Sequence, residues 1–445
     1  MEQVLVKAAQ LLLSLSILVI VHELGHFLFA RIFKTRVEKF YLFFDAWFSL
    51  FKVKIKDTEY GIGWLPLGGY VKIAGMIDES MDKEAMAQPP QPWEFRSKPA
   101  WQRLLIMLGG VMMNFIFAII IYTGISYVWG DEYLPTDNVK YGISVSETGE
   151  KIGFANGDKI LSVDNRHVED FLKIVPTIIL DIAESVQVLR DGQKVDIPIT
   201  SEDIALMLKA SKSVISYRLP FSPTIDQFSK ESVGQAAGLQ VGDEITGVNG
   251  QIFQWHDEFQ KVIANSKSRE IVVSVQRNGQ QIDVPVTIGN EGILGIYSNQ
   301  DIAELFEFKT IRYGFFQSVP AGVKRGVETT KNYLKQFKLF LLPEAKAHES
   351  FGGFIAIGRI FPGKWNWYSF WNMTAFLSII LAIMNLLPIP ALDGGHVLFL
   401  LFEMITGRKP GEKFMEYAQI TGMVLLLALV AYANANDIIG LFKRP

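Results

Sequence analysis

The stretch "VIVHELGHFLFARIF", residues 19–33, places two histidines and a glutamate inside an apolar run. Residues 8–30 carry no other charged side chain, and a run of this length can span a bilayer. An ionisable side chain in the middle of a span costs about 2.5–3.5 kcal/mol even on the lenient insertion scale. The stretch therefore predicts a membrane helix, within residues 1–35, whose polar side chains are functional.

The composition of the chain also indicates a membrane protein. Of 445 residues, 49% are hydrophobic, and the mean hydropathy is +0.21. The net charge of −3 and the lack of a Lys/Arg run argue against nucleic acid as a partner. The sequence contains no cysteine, which excludes disulfides, thiolate metal sites and cysteine nucleophiles. Any metal must therefore be bound by His, Asp or Glu.

Three further apolar windows complete a set of four predicted transmembrane helices. They cover residues 104–129, 365–393 and 417–436. Lys and Arg cluster beside the helix ends in the 36–103 loop and in the 394–416 connection, so both are expected on the cytoplasmic side. Arg359 and Lys364 count against this orientation. The segment between helices 2 and 3 and both termini, including the tail at 437–445, are then expected outside.

An internal repeat occupies the outer segment. The matching stretches are "GFANGDKILSVDN" (153–165) with "GLQVGDEITGVNG" (238–250), and "VLRDGQKVDIPIT" (188–200) with "VQRNGQQIDVPVT" (275–287). In each copy a Gly-Asp turn leads into alternating apolar residues, and an Asp-Gly or Asn-Gly turn closes a hairpin. The repeat predicts two similar β-rich domains in tandem, at 130–212 and 213–300.

The second copy contains "GQAAGLQVGDEITGVNGQ" (234–251), which resembles the signature of PDZ domains in bacterial envelope proteases. The first copy lacks the Ala-Ala-Gly stretch. PDZ domains bind extended peptides by adding a strand to a sheet edge, so an extended peptide is an expected partner. The alternative is that both domains only space or shield the membrane part.

Residues 314–342 have helical spacing, a basic face and many aromatic side chains. This pattern predicts that 301–364 is a helical segment at the membrane surface. A helix packed on the second repeat is the alternative.

The opening stretch has the pattern of a metal site. On an α-helix His22 and His26 are one turn apart, so both rings project from one face and can share an ion. Zinc suits imidazole, and the neighbouring Glu23 is placed to accept a proton from water. A catalytic zinc site takes a third protein ligand. Helices 1 and 3 run in the same direction, which gives Asp393 the matching depth; His396 is the rival ligand or a hydrogen-bonding residue.

The end of helix 3 has further polar features. Pro388 and Pro390 break the helix and free backbone to line a polar cavity. Asn385, inside the helix, is a candidate for binding a substrate backbone or a developing oxyanion. A packing hydrogen bond between helices is the alternative.

Together these motifs resemble the site-2 protease family. The resemblance rests on HELGH in a first transmembrane helix, "NLLPIPALDGG" (385–395) in a later one, and PDZ-like domains between them. It extends to "WLPLGGYVKIAGM" (64–76) and "KPAWQRLLIMLGGVMMN" (98–114), and so covers nearly the whole chain. The chain departs from the family at Val111, where a proline is usual, and lacks the Gly-Phe-Gly segment near 42–48.

The resemblance implies roles for the candidate residues. His22, His26 and Asp393 would be zinc ligands, Glu23 the catalytic base, and Asn385 part of the substrate-binding site. These five residues are all present, so the departures affect the loops that contact substrate more than the chemistry.

The loop after helix 1 is too apolar for an ordinary cytoplasmic loop. Residues 37–76 alternate apolar and polar side chains between glycines, which predicts a membrane-associated β-hairpin within 36–103. In the family, similar segments re-enter the membrane beside the zinc. An exposed edge strand is expected to hold the unwound substrate, with Gly68, Gly69 and Tyr70 as candidate contacts. A small cytoplasmic β-cap without substrate contact is the alternative.

The predicted protein is thus a polytopic α-helical membrane protein with two inserted PDZ domains. Its expected activity is zinc-dependent cleavage of transmembrane segments of single-span proteins, within the lipid bilayer. The resemblance points to an anti-sigma factor or remnant signal peptides as substrates. The expected location is the bacterial inner membrane, with PDZ domains in the periplasm and the active site towards the cytoplasm. A membrane-anchored PDZ scaffold with an inactive site, and a CAAX-type membrane protease, are the alternatives.

Overall fold

The computed structural model describes residues 2–76, 88–210, 213–339 and 352–442. The chain divides into two compact units. The helical unit comprises Met1–Asp131, Arg312–Phe337 and Ala347–Pro445, and the β-rich unit comprises Glu132–Ile311 and Lys338–Lys346.

In chain order, the α-helices of the described residues are α1 (Glu2–Ile32), α2 (Ala100–Val128), α3 (Glu147–Ile152), α4 (Ile174–Asp181), α5 (Ser201–Lys209), α6 (Val233–Ala236), α7 (His256–Asn265), α8 (Ile302–Leu305), α9 (Phe315–Leu339), α10 (Phe354–Ile360), α11 (Trp367–Leu386), α12 (Asp393–Thr406) and α13 (Glu412–Phe442). The strands are β1 (Val37–Ile55), β2 (Thr58–Ile73), β3 (Asp131–Tyr133), β4 (Ile143–Val145), β5 (Lys159–Val163), β6 (Ser185–Arg190), β7 (Gln193–Pro198), β8 (Ile215–Tyr217), β9 (Gln227–Phe228), β10 (Glu244–Val248), β11 (Glu270–Arg277), β12 (Gln280–Thr287), β13 (Ile296–Tyr297) and β14 (Lys309–Ile311).

Four helices of the described residues are long and apolar enough to cross a membrane. They are α1, α2, α11 and the Lys413–Gly440 part of α13. The prediction of four candidate membrane-spanning helices combined with β-rich regions is therefore confirmed.

The third of these helices is shorter than the predicted span 365–393. It ends at Leu386 because Leu387 precedes Pro388, and the residue before a proline is disfavoured in the α conformation. The chain becomes helical again at Asp393, which begins α12. This second helix covers much of the stretch predicted as a connection, residues 394–416. Its first residue is the candidate metal ligand.

The first two spanning helices cross at glycines. A Cβ on Gly109 would lie 2.6 Å from the backbone oxygen of Gly25, so neither position has room for a side chain. Between α1 and α11, the Thr374 hydroxyl donates a hydrogen bond to Ser14 Oγ at 3.0 Å, and both residues are buried. Small residues and interhelical hydrogen bonds are the usual means of association for helices in lipid. The contact at Gly25 brings the histidine-bearing part of α1 against α2.

The loop after α1 folds into the long, irregular antiparallel pair β1–β2. Register shifts give Tyr41 partners on two sides, Tyr70 and Gly61. Strand β2 packs on α1, where a Cβ on Gly69 would lie 2.6 Å from Val19 Cγ1. The pair thus places residues 69–71 beside the histidine-bearing helix.

The tip of this pair is aromatic and exposed. Trp47 is 91% exposed and Phe48 is 54% exposed, and both rings stack on Trp64. Large apolar side chains of this kind are rarely left to water as a group.

The basic helix predicted after the repeats is α9. It packs along α2, where a Cβ on Gly322 would lie 2.5 Å from the Thr123 backbone nitrogen and one on Gly326 would lie 3.2 Å from Ile119 Cγ1. These contacts favour a helix packed within the helical unit, and the position of this segment at the membrane surface stays a prediction. The end of the predicted helix, at 340–342, lies outside the described residues.

Each repeat of the β-rich unit forms a three-stranded antiparallel sheet. The strand orders are β5-β6-β7 and β10-β11-β12, and each sheet packs on its own buried core. The last two strands of each sheet are joined by the Asp-Gly or Asn-Gly turn, in which Asp191 and Asn278 have φ of 50° and 51°. Positive φ at such turns is the reason for these residue types.

The Gly-Asp turns of the two repeats make equivalent ion pairs. Arg277 donates two hydrogen bonds to the Asp243 carboxylate, at 2.6 and 2.7 Å. Arg190 donates two to Asp158, both at 2.7 Å. The two aspartates are each 1% exposed. The matching stretches of sequence therefore fold around the same buried contact.

Candidate metal centre

Three ligand atoms converge between α1 and the beginning of α12. His22 Nε2 lies 3.2 Å and His26 Nε2 lies 3.4 Å from Asp393 Oδ2, and the two nitrogens are 3.3 Å apart. Among the described residues, these three side chains form the group of His, Asp and Glu residues that could hold a metal ion. Helical spacing on α1 supplies the two imidazoles, and the helix break before α12 supplies the carboxylate.

The donor set fits a zinc ion. Asp393 Oδ2 is buried and accepts no hydrogen bond of good geometry, although both Nε2 atoms are close to it. Two imidazoles and one carboxylate are a ligand set found at catalytic zinc ions, with a fourth position left for water. Zinc would therefore be held by His22, His26 and Asp393.

The second nitrogens of both histidines face α2. His26 Nδ1 lies 2.9 Å from the Ile106 backbone oxygen, and His22 Nδ1 lies 3.1 Å from Asn114 Nδ2. Contacts of this kind set the orientation of a metal-binding ring and the position of its proton.

Gly110 of α2 leaves room for both rings. A Cβ at this position would lie 2.6 Å from His22 Cε1 and would overlap His26 Nε2. The close approach of α2 to the histidines therefore depends on glycine.

Glu23 faces a cavity of about 610 Å³ that is also lined by the three candidate ligands. Val71 of β2 lines the same cavity. The carboxylate is thus next to the metal centre without being one of the three converging ligands. A carboxylate in this place can exchange a proton with water in the cavity.

Asn385 of α11 also reaches this centre. Its Nδ2 lies 3.5 Å from His22 Nε2, at the limit of a hydrogen bond. The amide can therefore donate a hydrogen bond to an oxygen bound beside the three candidate ligands.

The three predicted contacts on β2 occupy different places. Gly69 and Tyr70 line the cavity, whereas a Cβ on Gly68 would face the Phe44 ring at 3.1 Å. Tyr70 donates a hydrogen bond to Asp45 Oδ1 at 2.9 Å. Burial and this hydrogen bond raise the pKa of the Tyr70 hydroxyl, so it remains a neutral donor.

His396 is not part of the converging group. It lies in the wall between the 610 Å³ cavity and a second cavity of about 270 Å³, and Met76 and Gln419 line both. The geometry favours Asp393 over His396 as the third ligand.

Sequence reasoning missed the part played by α2. Ile106, Gly110 and Asn114 follow one another at intervals of one helical turn, so they share the face that meets the histidines. An asparagine inside an uncharged span was the available indication. Nothing in the sequence indicates that the backbone carbonyl of Ile106 faces His26.

Residues 10–429 match the family described as Peptidase family M50. The "Putative zinc metalloprotease" of Vibrio cholerae is 28% identical over 462 residues, which cover 98% of this chain and 99% of that protein. Protease RseP of Yersinia pestis is 29% identical over 98% of this chain and 99% of its own length. The regulator of sigma-E protease RseP of Escherichia coli K12 is 28% identical over 96% of this chain and 97% of its own length.

Proposed function

Because the chain belongs to peptidase family M50, the site-2 protease family, we propose that it cuts peptide bonds in or near transmembrane helices of single-span proteins. The protein is a zinc metalloprotease. The observation that carries the proposal is the position of the donor set, which lies among helices able to cross a membrane. This family is distinct from the CAAX-processing proteases, so that alternative is set aside.

We assign the catalytic roles from this geometry. His22, His26 and Asp393 hold zinc, which when bound polarises the scissile carbonyl and makes a water molecule more acidic. Glu23 accepts a proton from the attacking water and returns it to the leaving amine as the C–N bond breaks. Asn385 donates a hydrogen bond to the oxygen on which negative charge develops.

The β1–β2 pair holds the substrate in an extended form. A peptide bond inside a helix is shielded because its backbone is hydrogen-bonded within the helix. Gly69 and Tyr70 line the cavity beside Glu23, and the lack of a side chain at Gly69 lets a second backbone come close. The exposed Trp47 and Phe48 support a position of the tip of the pair in lipid.

The distribution of Lys and Arg supports one orientation in the bacterial inner membrane. The loops at 36–103 and 394–416 face the cytoplasm, together with the metal centre, and the β-rich unit is periplasmic. Its two repeats are PDZ domains that limit the size of substrates or bind extended peptide. Support for this comes from the PDZ-like stretch at 234–251 and the paired sheets.

The relative from Escherichia coli is named as a protease that regulates sigma E. By analogy, the substrate of this chain is a single-span anti-sigma factor already shortened outside the membrane. Remnant signal peptides have the same form, a single apolar helix without a large outer domain.

The test is cleavage of a tagged single-span protein that lacks its outer domain, in proteoliposomes. Glu23→Gln keeps the three ligands and removes the proton acceptor, so cleavage is expected to fall by about 10²–10⁴-fold while bound zinc is retained. His22→Ala and Asp393→Asn should instead lower the zinc content.

Wild-type activity that is lost on chelation would establish the intramembrane protease. If neither wild type nor Glu23→Gln cleaves, the zinc content decides between the remaining explanations. Bound zinc then means an unsuitable substrate, and missing zinc favours the inactive scaffold.

A further inference from the structure

Asn114 is a buried polar residue that the proposed chemistry does not use. It lies within α2, one of the helices able to span a membrane, and its side chain is 0% exposed. The amide nitrogen is 3.1 Å from His22 Nδ1, while the amide oxygen is buried without a hydrogen-bond partner. A buried, unsatisfied amide oxygen costs about 1–3 kcal/mol. Its presence beside a metal ligand requires a reason.

The other histidine shows what such a ligand needs. A ring that binds a metal through Nε2 carries its proton on Nδ1, and that proton is donated to an oxygen. His26 meets this condition, because its Nδ1 lies 2.9 Å from the Ile106 carbonyl. No backbone carbonyl faces Nδ1 of His22 among the described contacts. Its Nδ1 is faced by the amide of Asn114 alone among the described contacts.

We propose that Asn114 is a positioning residue whose amide oxygen accepts the Nδ1 proton of His22 and thereby presents Nε2 to the metal. Rotating the side-chain amide of Asn114 by about 180° exchanges the positions of Oδ1 and Nδ2. The oxygen then gains the partner that it lacks, and two N–H donors no longer face each other. The inference rests on the proposed function, since it assumes that His22 binds the metal.

The arrangement of α2 supports this assignment. Ile106, Gly110 and Asn114 lie one turn apart on the face that meets the histidines. The first supplies an acceptor for His26, the second leaves space for both rings, and the third supplies an acceptor for His22. The Asn114 backbone oxygen accepts a hydrogen bond from Ser378 of α11 at 2.8 Å, which holds this part of α2 in place.

The test measures zinc affinity by competition with a chelator, without substrate. Asn114→Leu keeps the volume and removes the acceptor, and we expect affinity to fall about 10–100-fold, the usual loss for an outer-shell partner. Asn114→Asp restores an acceptor and is expected to recover most of this loss. Thr374→Val, which removes a buried hydrogen bond between α1 and α11, should leave zinc affinity unchanged.

A double-mutant cycle with His22→Ala separates positioning from packing. If Asn114 acts through His22, Asn114→Leu should have little further effect on zinc affinity in the His22→Ala background. Equal losses in both backgrounds would overturn the proposal, as would loss of zinc by a folded Asn114→Asp variant. If His22→Ala alone leaves zinc affinity intact, the proposed metal site fails instead. If His22→Ala weakens zinc binding and Asn114→Leu does not, only the inference fails.

Discussion

Gly110 shows how strongly a single position constrains the metal centre. The two imidazole rings occupy the space that its side chain would take, with His22 Cε1 2.6 Å from the position of a Cβ. Contacts under 3 Å between a Cβ and a ring atom require one group to move. The histidines are fixed on α1, so the helices would have to separate.

Gly110→Ala is therefore expected to reduce zinc affinity by at least about tenfold, as loss of ligand orientation does. Gly124→Ala is the matched control, because it lies on the same helix and a Cβ there meets no atom within 4 Å. Zinc content and chelator competition of the two purified variants check this. Equal affinity in both variants would show that the metal centre does not depend on the close approach of α2 at Gly110.

At the scale of single residues, the sequence identified those site residues whose roles follow from residue type and spacing alone. His22, Glu23 and His26 are one motif on one helix, and the depth argument led to Asp393. The structure brings the three predicted ligands together. Asn114 and Gly110 were not identified, because their role depends on which face of α2 meets α1, and an almost wholly apolar span has no amphipathic pattern to reveal that face.

At the scale of elements, the break between α11 and α12 sets the position of Asp393. The residue Pro390 contacts α13, where a Cβ on Gly422 would overlap the Pro390 backbone oxygen. Gln419 Oε1 accepts a hydrogen bond from the Ala391 backbone at 3.2 Å, and Ala391 has a φ of 79°. The last long helix thus holds the strained loop that carries the ligand.

Gly422→Ala should displace this loop and lower the rate of cleavage by about 10–100-fold, since a shift of roughly 1 Å can have such an effect. Gly440→Ala, on the same helix with no atom within 4 Å of a Cβ, should leave the rate unchanged. Initial rates in proteoliposomes provide the measurement. The idea is wrong if both variants cleave at the wild-type rate.

The prolines allowed the end of α11 to be foreseen but not the start of α12. Pro388 and Pro390 show where a helix stops. They do not show that the chain turns within a few residues and becomes helical again at Asp393. That turn depends on contacts with Gln419 and Gly422, which are distant in sequence. Likewise, the packing of α9 on α2 depends on Gly322 and Gly326 meeting the surface of another helix.

At the scale of the whole molecule, the β-rich unit and the helical unit are stabilised by different kinds of interaction. The β-rich unit has hydrophobic cores and buried aspartates paired with arginines, whereas the helical unit packs through small residues and apolar surface. The hydrogen bonds from Arg277 lower the pKa of Asp243. Protonation of this carboxylate in acid should therefore destabilise the β-rich unit.

A carboxylate with a lowered pKa in the folded state stabilises that state above its unfolded pKa of about 3.9. The stabilisation is lost as the pH falls from there through the folded pKa. The transition temperature of the β-rich unit should accordingly fall below pH 4 in the wild type. Asp243→Asn should have a lower transition temperature already at pH 7 and a smaller further loss in acid.

Scanning calorimetry of the full chain in detergent at several pH values measures both effects. Glu270→Gln, an exposed residue in the same sheet, serves as the control and should behave as the wild type. An Asp243→Asn variant with the wild-type transition at pH 7 would show that the ion pair contributes nothing.

The metal centre contains nitrogen and oxygen donors and no sulfur, in a chain without cysteine. For such sites the affinity of divalent first-row ions rises to a maximum at copper and falls again at zinc. Selection of the correct ion thus depends on the cell, which keeps free copper scarce, as much as on the protein. In a cell that loses control of copper, this donor set would exchange one ion for another with every residue of the chain in place.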